Sequence, residues 1–233
     1  MKRFYTDLII SNTAYLQDVE AGHCTKVLRC RVGDSIECMD GNGLLLKGTI
    51  TEIKKHEVAV EIIETIEHQS SNINKLAIAL PPTKNPARFE WFVEKATEIG
   101  IAHIYPMLTE RTEKASLKME RLNHIVISAA KQSRQLFYPK IYELKKMEDI
   151  MALNEAQQKL IAHCVGQKES LINLYKKNED ALLLIGPEGD FTNKEIEQAI
   201  NKNYQPVSLG NSILRVETAG VAACAVVAAI NAN

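Results

Sequence analysis

Residues 182–191 read LLLIGPEGDF, and this stretch decides the fold. Four apolar residues run into the turn Gly186-Pro187-Glu188-Gly189, and a polar segment beginning at Thr192 follows. The pattern predicts a buried strand, an irregular loop and a helix. Thr192 and Glu195 have the spacing of a capping box, in which each side chain satisfies a free backbone amide of the other residue. The helix is therefore predicted to begin at this pair.

The chain from Lys75 onward repeats this alternation of short apolar runs with amphipathic helices. The predicted strands are Leu76–Leu80, Ile101–Met107, Leu160–Val165, Ala181–Ile185 and Pro206–Leu209, and the predicted helices are Pro86–Ile99, Lys118–Gln135, Ser170–Lys176, Thr192–Asn203 and Glu217–Ile230. Strands that alternate with helices predict an α/β domain with a parallel sheet covered on both faces. Ligands of such a sheet bind outside the carboxyl ends of its strands, where both glycine-containing loops lie.

The first 70 residues have a different, β-rich pattern. Strand-like segments at Ser35–Met39, Leu44–Ile53 and Val58–Ile63 are separated by polar turns, of which Asp40-Gly41-Asn42-Gly43 is the strongest. A short helix is predicted over His23–Arg29. The segment predicts a small barrel or curled sheet, and the polar stretch Glu67–Asn74 is the expected domain boundary.

Composition favours an ordinary globular protein with a local basic region. The 233 residues are 45% hydrophobic and 24% charged, with a formal net charge of −1. The segment from Arg111 to Lys146, however, contains nine basic residues and only three acidic ones. Such an excess is typical either of a polyanion-binding surface or of a solvated helix face.

The cysteine pattern and the apolar segments bound the location of the protein. Five cysteines without a Cys-x-x-Cys pair, and a first segment without a long apolar core, lead us to expect reduced thiols in a cytoplasmic protein. The spacing of His23, Cys24, Cys30 and Cys38 fits no standard zinc pattern, so no metal is expected. The apolar run Val221–Ile230 is too short to cross a membrane.

The two glycine-containing loops carry the chemistry. The Gly186–Gly189 loop lacks the lysine and spacing of a nucleotide triphosphate loop, and it is not a dinucleotide fingerprint either. Its glycines permit close approach of a ligand to main-chain groups, although an ordinary strand-to-helix connection remains an alternative. The second loop, Leu209–Arg215, adds apolar atoms, free amides and one cation, which favours a ligand site formed by the pair.

Longer motifs resemble one known family. GPEGDF followed by LGNSILRVETA resembles the GPEGGF and LG.RILR.ETA segments of the RsmE-type small-subunit ribosomal RNA methyltransferases, which belong to the SPOUT, or trefoil-knot, superfamily. The segments KNPARFEWFVEKATEIG, SAAKQSRQLFYPKI and HCTKVLRCRVGDSIECMDGNG resemble further family motifs in the same order. The resemblance covers nearly the whole chain, with two departures. Asp190 stands where the family usually has glycine, and Lys131 stands where it often has glutamate.

The resemblance implies a fold, a reaction and partners. It implies a PUA-like RNA-binding β-barrel over residues 1–70 and an α/β trefoil-knot (SPOUT) methyltransferase domain over residues 74–233. The enzyme would use S-adenosylmethionine to methylate N3 of a uridine in small-subunit ribosomal RNA and act as a homodimer. Glu217–Ile230 is a candidate contact of the dimer, with plain core packing as its alternative role. The implied cofactor-binding residues are Cys164, Leu184, Ile185, Gly186, Pro187, Glu188, Gly189, Leu209, Gly210, Ile213, Leu214 and Arg215.

The chemistry of the reaction selects the candidate catalytic residues. Uracil N3 carries a proton, so a base must remove it or a cation must stabilise the anion that results. Arg215 is the candidate for the second role, with loop bracing or phosphate binding as its alternatives. Glu188 and Glu217 are the candidate bases, and Glu217 also suits the first turn of a helix. The expected RNA-binding residues are Arg3, His23, Arg29, Arg111, Arg134 and Gln135.

Two other functions stay open from the sequence. One is a knotted methyltransferase that acts on another RNA nucleoside, and the other is an RNA-binding homologue without catalysis. The full-length order of motifs disfavours the first, and only Asp190 favours the second. Cofactor binding separates these two classes of protein.

Overall fold

The structure, a computed structural model, describes residues 1–69, 75–113, 116–153 and 156–232. The chain forms two compact units: Met1–Asn72 with Ala130–Tyr138, and Ile73–Ala129 with Pro139–Asn233. The expected boundary at Glu67–Asn74 lies largely outside the described residues.

The first unit is a six-stranded, mainly antiparallel sheet. Its elements are β1 (Lys2–Tyr5), β2 (Leu8–Ile10), β3 (Thr13–Gln17), α1 (Asp18–Gly22), a turn of π-helix (His23–Val27), β4 (Ser35–Met39), β5 (Leu44–Ile53) and β6 (Glu57–Glu67). The strand order is β1-β4-β5-β6-β3-β2, and only the β1–β4 pair is parallel. Alternate residues such as Phe4, Leu16 and Ile36 are fully buried and form one core.

The hairpin of the first unit follows its local sequence signals. Asp40 begins the turn between β4 and β5, where its Oδ1 accepts hydrogen bonds from the backbone of Asn42 (2.7 Å) and Leu44 (3.0 Å). The predicted strands β4 and β5 are confirmed in full, and β6 is longer than predicted. The predicted helix over His23–Arg29 is wrong in its bounds, because helical structure begins at Asp18 and changes to π geometry at His23.

The segment Ala130–Tyr138 packs within the first unit because two glycines leave room for aromatic rings. Gly41 and Gly43 have φ of +78° and +103°. A Cβ atom on them would lie 2.8 Å from the Tyr138 ring and 2.4 Å from the Phe137 ring. The Tyr138 amide donates to the Gly41 carbonyl (2.8 Å), and the Gly43 amide donates to the Leu136 carbonyl (3.0 Å).

The second unit is a parallel sheet with helices on both faces. Its elements are β7 (Leu76–Leu80), α2 (Pro86–Ile99), β8 (His103–Leu108), α3 (Met119–Ser133), β9 (Lys140–Ile141), β10 (Lys145–Lys146), α4 (Met147–Leu153), β11 (Gln158–Ala162), β12 (Glu169–Ser170), α5 (Leu171–Leu174), β13 (Ala181–Ile185), α6 (Asn193–Asn201), β14 (Gln205–Ser208) and α7 (Val216–Ala232). The last residues of α3, from Ala130 onward, belong to the first unit. The strand order is β10-β8-β7-β13-β11-β14-β12, and β9 also pairs with β8.

One face of this sheet carries α2 and α7 at close distance. The side chain of Asn85 caps α2 at the Ala87 amide, Pro86 is its first residue, and Gly100 ends it with φ of +93°. The second helix, α7, approaches α2 at Gly220, where a Cβ atom would lie 2.4 Å from the buried ring of Phe92. Glycine is therefore required for this packing.

The opposite face carries α4 and α6. Residues Met147 and Ile150 of α4 and Ile196 of α6 share one core with β13 residues Leu182 and Leu184. The predicted capping box is confirmed: Thr192 accepts from the Glu195 amide, and Glu195 accepts from the Thr192 amide. The predicted parallel sheet covered on both faces is also confirmed.

Short elements differ most from the prediction. The sequence predicts a helix over Ser170–Lys176, but α5 has four residues, and β9, β10, β12 and α4 were not predicted. Strands of two residues contain no readable periodicity, because a pattern of alternate residues needs a longer run. Across the described part of the chain, no helix has both the length and the apolar character that a bilayer crossing demands.

Candidate active site

Three loops converge because the strands that precede them are neighbours in the sheet. β11 lies between β13 and β14, and all three strands are parallel. Their carboxyl ends therefore lie at one edge, although β11 and β14 are separated by more than forty residues in the chain. The loops are residues 163–168, 186–191 and 209–215, and they are called here the first, second and third loop.

The three loops enclose a cavity of about 690 Å³. This volume is within the roughly 300–1,000 Å³ range of small-molecule sites. Ten of the twelve expected cofactor-binding residues line it: Cys164, Ile185, Gly186, Pro187, Glu188, Leu209, Gly210, Ile213, Leu214 and Arg215. The other two lie beside it. Leu184 is fully buried in the core under α6, and Gly189 packs against the side chain of Arg111.

The third loop presents apolar and cationic side chains to solvent. Gly210 has φ of +132° with open space around it, and its amide and carbonyl are both held by the Ser208 hydroxyl, at 3.2 and 3.0 Å. Ile213 is 87% exposed, which is unusual for a large aliphatic residue, and the Arg215 side chain is exposed too. An exposed apolar side chain beside the open space at a glycine suits a ligand with a flat ring, such as a nucleoside.

The second loop is fixed on both sides. Glu188 is exposed at the cavity wall, whereas Pro187 is buried. The Arg111 guanidinium donates to the Gly189 carbonyl (2.5 Å). Asp190 has φ of +61°, and its carboxylate accepts from the backbone amides of Cys164 and Phe191, each at 2.8 Å. The residue that departs from the family pattern therefore joins the second loop to the first.

The first loop combines a histidine, a thiol and a folded-back lysine. The Lys168 ammonium donates to the carbonyls of Val165 (2.7 Å) and Gly166 (2.9 Å). Burial, with the charge of Lys168, lowers the pKa of His163, and neither ring nitrogen has a hydrogen-bond partner within the described residues. Burial, with the charge of Asp190, raises the pKa of the Cys164 thiol, so this cysteine stays protonated at neutral pH.

Two of the three candidate catalytic residues line the cavity, namely Arg215 and Glu188. Glu217 lies in the first turn of α7 with its side chain 9% exposed, and its Oε1 is 3.8 Å from Arg88 Nε. Its neighbours Val216 and Ala219 contribute to the cavity wall. The geometry of Glu217 is that of a buried acid at a helix N-terminus.

Five of the six expected RNA-binding residues belong to the first unit, and Arg111 belongs to the second. Arg29 and Arg134 are exposed and both have positive φ. Arg3 is ion-paired with Glu37 (2.6 Å), and the backbone amide of Gln135 donates to the Ala130 carbonyl.

His23 has no hydrogen-bond partner for its buried Nδ1 within the part of the chain that is described. Its ring lies 5.9 Å from the ring of Phe4 at an angle of 63°.

Lys131, the second departure from the family pattern, is explained by an ion pair. Its Nζ lies 2.5 Å from Glu20 Oε1, and the two side chains are 15% and 12% exposed. The other Glu20 oxygen accepts from the Tyr5 amide (2.9 Å). A glutamate at position 131 would place two carboxylates together, so the lysine and Glu20 belong together in this chain.

The sequence did not identify several residues of the cavity wall. They are chiefly polar residues of the first and third loops: His163, Gly166, Gln167, Lys168, Asn211 and Ser212. Gly166 has φ of +73° and was the available signal for an irregular loop at this place. No group of three or more metal-binding side chains is found in the residues that the structure describes.

Comparison with known proteins defines the class. Residues 69–228 match a family model described as an RNA methyltransferase domain, and residues 16–63 match one described as an RNA methyltransferase PUA domain. The chain is 32% identical over 231 residues to ribosomal RNA small subunit methyltransferase E of Synechocystis sp.. The matched region covers 95% of this chain and 75% of the relative.

Solved structures agree with this class. The crystal structure of a probable rRNA-methyltransferase from Porphyromonas gingivalis is 35% identical, with a TM-score of 0.92, and covers 100% of this chain and 99% of its own. Ribosomal RNA small subunit methyltransferase E from Neisseria gonorrhoeae, bound to S-adenosyl methionine, is 29% identical, with a TM-score of 0.83, and covers 97% of this chain and 95% of its own. The chain belongs to the ribosomal RNA small subunit methyltransferase E family. The family and the fold class expected from the sequence, a SPOUT domain with a PUA-like domain, are thereby confirmed.

Proposed function

We propose that this chain transfers the methyl group of S-adenosylmethionine to N3 of a uridine in small-subunit ribosomal RNA. The cavity at the edge of β13, β11 and β14 is the observation that carries the proposal. The residues present fit the cofactor. The third loop offers the exposed Ile213 and the open space at Gly210 to an adenosine, and the polar residues Asn211 and Ser212 lie beside them.

The cofactor, when bound, supplies an electrophilic methyl group on a sulfonium sulfur. The task of the protein is to hold the uracil in line with that group and to manage the N3 proton. Arg215 is the exposed cation at the cavity wall, and we assign it to the stabilisation of the uracil anion. Glu188 is the exposed carboxylate of the same wall and is our candidate for the base that receives the proton. Glu217, with its burial and its ion pair to Arg88, is better suited to hold the first turn of α7.

The proposed RNA contacts are the arginines of the first unit. Arg29 and Arg134 are exposed, so their guanidinium groups are accessible to phosphates. Arg111 is occupied by the Gly189 carbonyl, and it therefore braces the second loop in addition to any RNA contact. Because the substrate is a component of the ribosome, we expect the protein in the cytoplasm.

We further propose a homodimer, with α7 and the neighbouring α2 as the contact. Trp91 on α2 is 42% exposed, and Ala225 on α7 is exposed as well. Exposed aromatic residues such as Trp91 are enriched at protein interfaces. Light scattering at several protein concentrations tests this, and a mass of one chain throughout would contradict it.

Ribosomal RNA from cells that lack the chain gives the decisive test of the reaction. We expect one methyl group to be missing from one small-subunit uridine, and the purified protein with S-adenosylmethionine should restore it. A methyl group missing from another nucleoside would favour the other-substrate alternative. An unchanged RNA, with no heat of cofactor binding in calorimetry, would favour a non-catalytic RNA-binding protein.

Arg215→Ala tests the assignment of the cation. We expect kcat to fall by about 10²–10³, the usual effect of removing one group that stabilises developing negative charge. The melting temperature should not change, because the side chain is exposed. Arg121→Ala is the matched control, since Arg121 is an exposed arginine of the same unit that pairs with Glu90 outside the cavity. Normal kcat with a raised KM for RNA would assign Arg215 to phosphate binding.

A further inference from the structure

Asp190 occupies a backbone conformation that suits glycine. Its φ is +61°, in the left-handed region that residues other than Gly, Asn and Asp rarely adopt. A residue with a side chain is retained at such a position when the side chain contributes an interaction that glycine cannot make.

The carboxylate makes two such interactions with separate oxygens. Oδ1 accepts from the amide of Phe191, and Oδ2 accepts from the amide of Cys164, both at 2.8 Å. The first bond is local and fixes the carboxylate. The second bond spans 26 residues and reaches the first loop.

This second bond extends the contact between the first and second loops beyond the end of the sheet. The ladder between β11 and β13 ends with the pair Ala162 and Ile185. Past that pair the chain leaves β13 through Gly186 and Pro187. The carboxylate of Asp190 supplies the acceptor for the Cys164 amide at the place where the backbone of β13 no longer offers one.

The second loop is rigid enough to act as the anchor. Arg111 holds the Gly189 carbonyl, and α6 begins with its capping box directly after Phe191. Gly186 makes room for the carboxylate, since a Cβ atom there would lie 3.0 Å from Asp190 Oδ1. The first loop, by contrast, is exposed from Cys164 to Gln167.

We propose that Asp190 is a positioning residue whose carboxylate holds the Cys164 segment in place as one wall of the cofactor cavity. The proposal rests on the proposed function only for the identity of the ligand, S-adenosylmethionine. Asp190 acts through the first loop, so its loss changes the affinity for the cofactor and leaves the methyl-transfer step itself unaltered.

The test uses the whole protein with its cysteines labelled with ¹⁵N. The five cysteines give five backbone amide signals, and Cys164→Ser identifies the signal of interest by its disappearance. Hydrogen exchange of that amide reports directly on the bond to Asp190. Calorimetry with S-adenosylmethionine reports on the cavity, and kcat and KM for the cofactor separate affinity from catalysis.

Asp190→Gly is the main variant, because glycine adopts the same φ without strain and keeps the fold. We expect the Cys164 amide to exchange about tenfold faster or more, and the Kd and KM for the cofactor to rise by a similar factor, with kcat unchanged. Asn203→Gly is the control. Asn203 also has positive φ (+65°) in this unit but is absent from the described residues that line the cavity.

Asp190→Asn provides a second, isosteric variant in case the glycine variant does not fold. The asparagine side chain has one acceptor oxygen where the carboxylate has two, so this variant loses one of the two hydrogen bonds. We expect faster exchange of the Cys164 amide and a higher Kd for the cofactor, as in the glycine variant. Unchanged Cys164 exchange, or a cofactor Kd within about twofold of the parent protein in a folded variant, would overturn the proposal. If the parent protein binds no cofactor, the proposed function fails, whereas the exchange measurement still decides whether Asp190 holds the first loop.

Discussion

The packing of α2 against α7 gives a prediction whose size follows from the coordinates. Gly220→Ala places a methyl group 2.4 and 2.6 Å from two ring atoms of Phe92, whereas carbon atoms in contact prefer about 3.5–4.0 Å. Phe92 is fully buried, so its ring has no free space into which it can turn. The overlap must therefore push the two helices apart.

Two opposing contributions set the expected magnitude. Alanine in place of glycine within a helix stabilises by about 1 kcal/mol. An added methyl group in a well-packed core costs about 1–3 kcal/mol, and the overlap here places the cost at or above the upper end. We expect a net loss of about 2 kcal/mol in the free energy of unfolding, and hence a fall in melting temperature of roughly 4–8 °C for a chain of this size.

The assay is urea and thermal unfolding of four variants. Gly220→Ala, Phe92→Leu and the double variant form a cycle, in which the smaller leucine should relieve the overlap and give a favourable coupling of about 1 kcal/mol or more. Gly22→Ala is the control, because that glycine is also in a helix but has open space at its Cβ position. A stable Gly220→Ala variant, or additive effects in the cycle, would refute the packing argument. Because Ala219 lines the cavity, weaker cofactor binding should accompany the loss of stability.

Three further predictions concern charge. Lys131→Glu should lower the free energy of unfolding by roughly 3 kcal/mol, because it places a second carboxylate beside Glu20. The double variant Glu20→Lys with Lys131→Glu should recover most of this loss in urea unfolding, and no recovery would refute the ion-pair argument. Arg134→Asn, which tolerates the positive φ, should lower the salt slope of RNA binding by about 0.7–0.9 per lost phosphate contact, and an unchanged slope in a filter-binding titration would exclude this residue from the interface. Burial lowers the pKa of His103 below its ordinary value of 6.5, so the unfolded state binds more protons and the free energy of unfolding should fall as pH decreases below about 6.5. His103→Gln should make this fall less steep in unfolding experiments across pH 5–7. An equally steep fall in the variant would assign the pH dependence to other groups.

The elements that the sequence predicted well are those with local signals. The strand Ala181–Ile185 and the helix Pro86–Ile99 agree with the structure to the residue, since a continuous apolar run and a capped amphipathic period are both readable within one segment. The sequence did not predict the strands β1, β2 and β3 or the two-residue strands β9, β10 and β12. Their hydrogen-bonding partners lie elsewhere in the chain, and a short strand exists only through its partner.

The candidate site divides in the same way. Motifs around the second and third loops identified nine of the residues that line the cavity, because glycines and a cation in loops after strands are visible in a linear sequence. The sequence does not identify His163 and Lys168, because Gly166 alone distinguishes the first loop from other polar connections. Asp190 was recognised as a departure from the family pattern, but its bond to Cys164 crosses 26 residues and is invisible without the fold.

By itself, the sequence determined the class of fold, the family and the two glycine-containing loops, all of which depend on periodicity, caps and motifs that act over a few residues. Only the tertiary structure decided that β11 lies between β13 and β14, which brings three separate loops to one edge of the sheet. It also decided that Lys131 pairs with Glu20, 111 residues away, and that Asp190 holds the wall of the cavity. Strand order and side-chain partners are set by the burial of the whole core, which no short segment of the chain specifies.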